Sequence, residues 1–180
     1  MKIKMISSLV LAGMVAFGAQ AEDFTGSLYI KDAVITPGGK TTLSVQLENN
    51  IGVSGFQLDM RLPEGIRYSN WGLSEKRLPS GATAGDCVKS QSFENQLFKG
   101  GIAISFGENA VYTGTSGEVA VITIEADASV AEGIYTIELE NVVLAFPPNK
   151  DKKIQGTSFT LTVKDYDEGY NVEILPFAFT

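Results

Sequence analysis

The chain has 180 residues, a formal net charge of −7 and no histidine. The missing histidine excludes Ser-His-Asp and Cys-His catalysis and the usual zinc sites. The acidic balance argues against nucleic acid or an anionic membrane as partner, and it leaves protein, carbohydrate or calcium open.

Residues 1–21 have the pattern of a secretory signal peptide. Two lysines give a positive start, residues 6–17 are mostly apolar, and an A-x-A cleavage signal stands at 19–21. The apolar run is too short for a membrane span. We therefore expect export, to the periplasm, the cell surface or the medium. The mature chain would begin at Glu22, with 12 basic and 21 acidic residues and a net charge of −9.

Short alternating runs, rich in Val, Ile, Thr, Phe and Tyr and separated by turn residues, fill the next 140 residues. Such runs are typical of half-buried strands, and no run of helical period exceeds two turns. They predict one all-β domain over 22–165, an antiparallel sandwich or jelly roll. The predicted strands are 28–35, 41–48, 53–62, a weaker one at 66–69, 88–94, 101–106, 118–126, 133–146 and 156–163.

Strand parity predicts which side chains fill the core. Cys87 is the single cysteine, and we expect it to be buried and inert. The predicted inner set is Leu43, Val45, Leu47, Phe56, Leu58, Met60, Ile102, Ile104, Phe106, Val119, Val121, Ile124, Tyr135, Ile137, Leu139, Phe159, Leu161 and Val163.

The same parity places polar and small side chains on the opposite face. This outward row consists of Gln57, Asp59 and Arg61, with Ala103 and Ser105, and with Thr136, Glu138 and Glu140. Neighbouring strands would combine them into a flat face, which is suited to docking a protein. A plain solvated face fits the same pattern, so parity alone leaves both interpretations open.

Three other kinds of site are weaker candidates. The acidic side chains Glu108, Asp127, Glu138 and Glu140 show no spacing that pairs two of them across a cleft, so we expect no enzyme. The oxygen-rich clusters at 149–151 and 165–168 lack the twelve-residue EF-hand pattern, so we expect no metal site and no cofactor. Tyr68, Trp71 and Tyr112 stand in or near predicted loops, where they could stack on sugar rings or cover the end of the core.

Residues 166–180 differ in character from the strands before them. They begin with acidic and tyrosine residues and continue into the apolar stretch "VEILPFAFT". We expect this tail to be an appendage or an extra edge strand, and as a strand it could be donated to a neighbour in a structural or adhesin subunit.

Several segments together resemble a cohesin module over about residues 28–163. "SLYIKDAVITPGGKTTLSVQLENNIGVSGFQLDMRLPEGI" is similar to the opening strands, "GGIAISFGEN" to the sixth strand, "SGEVAVITIEADASVAEGIYTIELENVVLAF" to the seventh and eighth, and "GTSFTLTV" to the last. The resemblance implies a nine-stranded antiparallel jelly-roll β-sandwich. It also implies that the flat face of the third, fifth, sixth and eighth strands docks a dockerin module, which carries the calcium itself.

In this resemblance the two dockerin anchors of the third strand correspond to Gly55 and Gln57, and the glutamate after the sixth strand to Glu108. The two positions that follow correspond to Ala110 and Val111. The predicted function is therefore a secreted module that docks a dockerin-type partner on polysaccharide-degrading enzymes. The predicted contacts are Gln57, Asp59, Arg61, Ala103, Ser105, Glu108, Thr136 and Glu138. The alternative is a carbohydrate-binding module that engages polysaccharide through Tyr68, Trp71 and Tyr112.

Overall fold

A computed structural model describes residues 24–165 of the chain. The signal peptide predicted at 1–21 and the tail at 166–180 lie outside the described residues. Within residues 24–165, no helix is long and apolar enough to cross a membrane.

The described residues form eleven strands and two single-turn 3-10 helices, in two sheets. One sheet has four strands in the order β1-β3-β8-β5, and the other has the order β2-β11-β9-β4-β7-β6 with β10 paired to β9. The bounds are β1 Gly26–Ile30, β2 Ala33–Ile35, β3 Lys40–Asn49, β4 Gly55–Arg61, β5 Ile66–Leu73, β6 Cys87–Glu94, β7 Leu97–Ile104, β8 Ser116–Ala126, β9 Gly133–Phe146, β10 Lys150–Lys153 and β11 Ser158–Val163.

The predicted all-β sandwich is confirmed. The predicted first strand is divided into β1, which pairs with β3, and β2, which pairs with β11 in the other sheet. The β2–β11 pair is parallel, whereas the other strand pairs of the described residues are antiparallel. The short strand β10 was not predicted, because its sequence "KDKK" lacks the apolar alternation of a half-buried strand.

The two sheets pack face to face around a core that is rich in aromatic rings. Trp71 lies on β5 and is 1% exposed, with its ring edge-on to Phe98 at 5.6 Å and to Phe56 at 6.0 Å between centroids. The prediction that Trp71 stands in or near a loop is wrong, because β5 extends to Leu73 and pairs with β8 up to that residue.

Most of the predicted inner residues are buried; Ile104 and Tyr135 are partly buried against the core, and Val121 and Phe106 do not belong to it. A bulge in the β3–β8 ladder leaves Val119 without an opposite residue, so the buried set shifts to Ala120, Ile122 and Ile124 and Val121 turns outward. Phe106 is exposed because β7 ends at Ile104.

Cys87 is only half-buried, so the expectation of full burial is wrong. It is the first residue of β6, at the edge of the larger sheet, where one side of the strand is open. Burial and the nearby carboxylates of Asp86 and Glu75 raise the pKa of the Cys87 thiol. The neutral thiol, which is the less reactive form, is therefore favoured, in keeping with the expected inertness.

Arg77 ties the loop between β5 and β6 to the four-stranded sheet. Its side chain is buried, and Nε donates to the carbonyl oxygen of Thr113 at 2.7 Å. Nη1 donates to the carbonyl oxygen of Leu47 at 2.7 Å, and Nη2 donates to Asn49 Oδ1 at 2.7 Å and to the carbonyl oxygen of Gly114 at 2.8 Å. Burial lowers the pKa of the guanidinium. One side chain thereby satisfies acceptors from two separate parts of the chain.

We expect Arg77→Met to lower the free energy of unfolding by about 3 kcal/mol or more, because several buried acceptors lose their donor. Urea unfolding followed by the fluorescence of the single tryptophan, Trp71, measures this change. Arg67→Met is the matched control, since Arg67 and Asp127 form an exposed ion pair that should contribute less than about 1 kcal/mol. Equal losses in the two variants would contradict the role given to Arg77.

Candidate protein-docking face

The outer surface of strands β9, β4, β7 and β6 forms one continuous face, which we call the outer face. Gln57 on β4 pairs with Val143 on β9 and with Gly101 on β7, and Gly101 pairs in turn with Ser90 on β6. Gln57 and Ser90 are exposed, Val143 is half-buried and Gly101 is buried, so the row reaches solvent mainly through the side chains of Gln57 and Ser90. The predicted grouping of Gln57 with Ala103 is found here, because Ala103 lies on β7 two residues beyond Gly101.

A shallow depression of about 250 Å³ lies at this end of the outer face. Gly101 carries no side chain, and Val88, which is 64% exposed, pairs with Ala103 across β6 and β7. All residues around the depression are uncharged, although the whole chain carries a net charge of −7. They are Gly55, Phe56, Gln57, Val88, Ser90, Gly101, Ile102, Ala103, Val143 and Ala145.

A bulge on β9 turns Val143 and Ala145 toward this depression. Gln57 pairs with Val143 but Asp59 pairs with Glu140, so two residues of β9, Asn141 and Val142, stand opposite Leu58 alone. Asn141 has φ +48, in the left-handed region that asparagine tolerates better than most residues.

Asp59 lies beside this bulge and is 4% exposed, although it belongs to the outward row. Its Oδ2 accepts a hydrogen bond from Asn141 Nδ2 at 3.0 Å, and Asn141 Oδ1 accepts one from Lys153 Nζ at 2.9 Å. Asp59 therefore holds the bulge in place, and it is not available as a partner contact without a change of conformation.

Arg61, Thr136 and Glu138 lie at the opposite end of the outer face. They line a second depression of about 550 Å³ between the end of β4 and the start of β9. Arg61 Nη1 donates to the carbonyl oxygen of Asn95 at 3.0 Å. The predicted residues that lie on strands and reach solvent thus share one face, but they are spread over both of its ends.

Ser105 and Glu108 follow β7 and leave the sheet. Ser105 Oγ donates to the carbonyl oxygen of Asp86 at 2.8 Å. Glu108 borders a pocket of about 480 Å³ that is formed by loops, together with Asn109 and Pro148. These two residues therefore lie beyond the strand end next to the Gly101 depression.

The three aromatic residues of the carbohydrate alternative are not displayed for stacking. Trp71 is buried in the core, and Tyr112 is 2% exposed with its ring 6.2 Å from that of Phe56. Burial raises the pKa of the Tyr112 hydroxyl well above its ordinary value. Tyr68 is partly buried, with its ring centroid 4.9 Å from that of Phe98. All three rings pack against phenylalanine rings of the protein itself. Among residues 24–165, no cluster of carboxylate or cysteine side chains could hold a metal ion.

The sequence reasoning missed Val88, Val143 and Ala145 as residues of the outer face. A signal for the two β9 residues was present in "IELENVVLAF", where the apolar positions change from odd to even after Glu140-Asn141. That change of phase is the expected mark of a bulge. For Val88 the sequence carries no comparable signal, because a valine at a sheet edge has the same pattern as a core residue.

No family model and no curated protein matches the chain. Solved structures do: a non-cellulosomal cohesin from Archaeoglobus fulgidus aligns with a TM-score of 0.61 and 14% identity, over 79% of this chain and 94% of that one. The Clostridium acetobutylicum cohesin CaCohA2, in its complex with a variant of CaDoc0917, aligns with a TM-score of 0.64 and 12% identity, over 78% of this chain and 100% of that one. The cohesin of the Clostridium thermocellum Coh-OlpA–Doc918 complex aligns with a TM-score of 0.62 and 13% identity, over 78% of this chain and 99% of that one. The chain therefore has the cohesin fold, as the sequence segments predicted.

We expect Asn141→Val to destabilise the chain more than Asn141→Gly. Both variants remove the hydrogen bonds of the asparagine side chain, but only valine must place a branched Cβ at a positive φ, which costs about 1–2 kcal/mol. Thermal unfolding of the two variants beside the wild type measures the difference. Equal melting temperatures for the two variants would contradict the left-handed conformation at Asn141.

Proposed function

We propose that this cohesin-fold chain is an exported binding module that docks a dockerin-type module through the Gly101 end of its outer face. The observation that carries the proposal is the uncharged depression around Gly101, which is open to solvent on an otherwise acidic chain. Two of the structurally similar cohesins named above were solved in complex with dockerins, which supports a partner of the same kind for this chain.

The contact chemistry follows from the residues at the two anchor positions. Gly55 cannot carry a side chain without rearrangement, because a Cβ there would stand 2.7 Å from the carbonyl oxygen of Ile102. Gln57 is exposed and can both donate and accept hydrogen bonds. We therefore propose that the partner places an aliphatic side chain over Gly101 and hydrogen-bonds Gln57 at the rim.

The remaining parts of the proposal concern the partner and the compartment. The partner module would carry its own calcium and would belong to a secreted polysaccharide-degrading enzyme. The chain would act after export, at the cell surface, in the medium or in the periplasm. It performs no catalysis in this role, which consists of holding another protein in place.

The direct test is capture of secreted proteins of the source organism on the immobilised mature chain, with calcium present or chelated. We expect the retained proteins, identified by mass spectrometry, to carry dockerin-type modules and to be released by chelation. Retention of no dockerin-bearing protein would contradict the proposal.

Gly101→Leu locates the contact. The leucine would fill the depression, and the closest atom to its Cβ would be the Ser90 hydroxyl oxygen at 2.9 Å, which can rotate away. We expect at least a tenfold loss of affinity for the captured dockerin, measured by calorimetry.

Ser92→Leu is the matched control for this variant. It adds the same side chain to the outer face outside the depression, at an exposed position opposite Lys99. Its affinity should stay within about twofold of the wild type. Both variants are first checked for an unchanged melting temperature, and a Gly101→Leu variant that still binds like the wild type would contradict the site.

A further inference from the structure

An exposed apolar patch continues the outer face from β9 onto the neighbouring strands β11 and β2, at the end away from the Gly101 depression. Ile134 on β9 is 75% exposed and Val34 on β2 is 48% exposed. Thr162 on β11 pairs with both of them, so the three β-branched side chains form one row across three strands. Ile134 also borders the second depression, of about 550 Å³.

The chain leaves the described structure beside this patch. Val163, the last residue of β11, pairs with Gly133, the residue before Ile134, and the description ends at Asp165. The next residues continue as "YDEGYNVEILPFAFT", with a glycine at 169 and six apolar residues between 174 and 179. The residues that follow the patch strand β11 therefore include an apolar segment, which lies outside the described residues.

The connection is long enough for this segment to reach the patch. Five residues from Asp165 to Tyr170 span at most about 17 Å when extended. The patch extends over about two strand spacings, or about 10 Å, from β2 to β9. A tether of this length gives an effective concentration in the millimolar range, which favours packing within one molecule over pairing between two.

We infer that residues 170–179 pack across Val34, Thr162 and Ile134 of the same molecule and extend into the second depression. The segment contributes apolar side chains, and the sheet contributes a row of β-branched residues that would otherwise face water. This contact is independent of the proposed partner, because it uses the other end of the outer face.

The test uses the full mature chain and two isosteric substitutions. Val34→Thr replaces a patch residue, and Val88→Thr makes the same change at an exposed valine of the same sheet outside the patch. We expect Val34→Thr to lower the melting temperature by several degrees, and Val88→Thr to leave it within about 1 °C, as for ordinary surface substitutions. Equal shifts for the two would overturn the inference.

Hydrogen exchange of the segment itself gives the second readout. We expect the backbone N–H groups of residues 170–179, apart from Pro176 which has none, to exchange at least tenfold more slowly in the wild type than in Ile134→Asp, where a charge replaces the most exposed patch residue. Exchange at the same rate in both proteins would overturn the inference. Protection that increases with protein concentration, together with a dimer in light scattering, would assign the contact to a second molecule instead and would also overturn it.

Discussion

The bulge at Asn141 is the constraint on which the outer face depends. β9 is 14 residues long and pairs with β4 on one side and with β11 and β10 on the other. A strand of this length must keep an apolar row toward the core along its whole course. Its apolar residues change phase after Glu140, and only a bulge allows Ile137 and Val142 to face the same core.

The bulge divides the outer face into two chemically different ends. Before it, β9 presents Thr136, Glu138 and Glu140 to solvent, and after it, Val143 and Ala145. The buried carboxylate of Asp59 accepts a hydrogen bond from the asparagine at the turning point. A polar residue that parity alone assigns to the exposed surface thus acts within the sheet, beside the bulge that turns Val143 and Ala145 outward.

The aromatic residues that could have formed a sugar-binding site belong to the core instead. Trp71, Tyr112 and Tyr68 all have the rings that a sugar-binding site would need, but each packs against phenylalanine rings in the sandwich. Aromatic pairs in such edge-on and tilted arrangements stabilise a core beyond their buried area. The exposed side chains around the Gly101 depression are uncharged and include no aromatic ring, so this end of the outer face offers no stacking platform.

Alternation along the chain determined the all-β class, the approximate positions of the longer strands and the existence of an outward row, because a period of two is the signature of a half-buried strand. The segments that resemble cohesins determined the fold, since their order along the chain is more specific than any one of them. Only the tertiary structure decided which outward residues reach solvent. A one-residue bulge reverses every side chain that follows it, as at Val121 and Val143. Burial also depends on neighbours that are distant in sequence, which is why Asp59 is buried where the sequence predicted a partner contact, and why only the structure decided that Trp71 packs in the core.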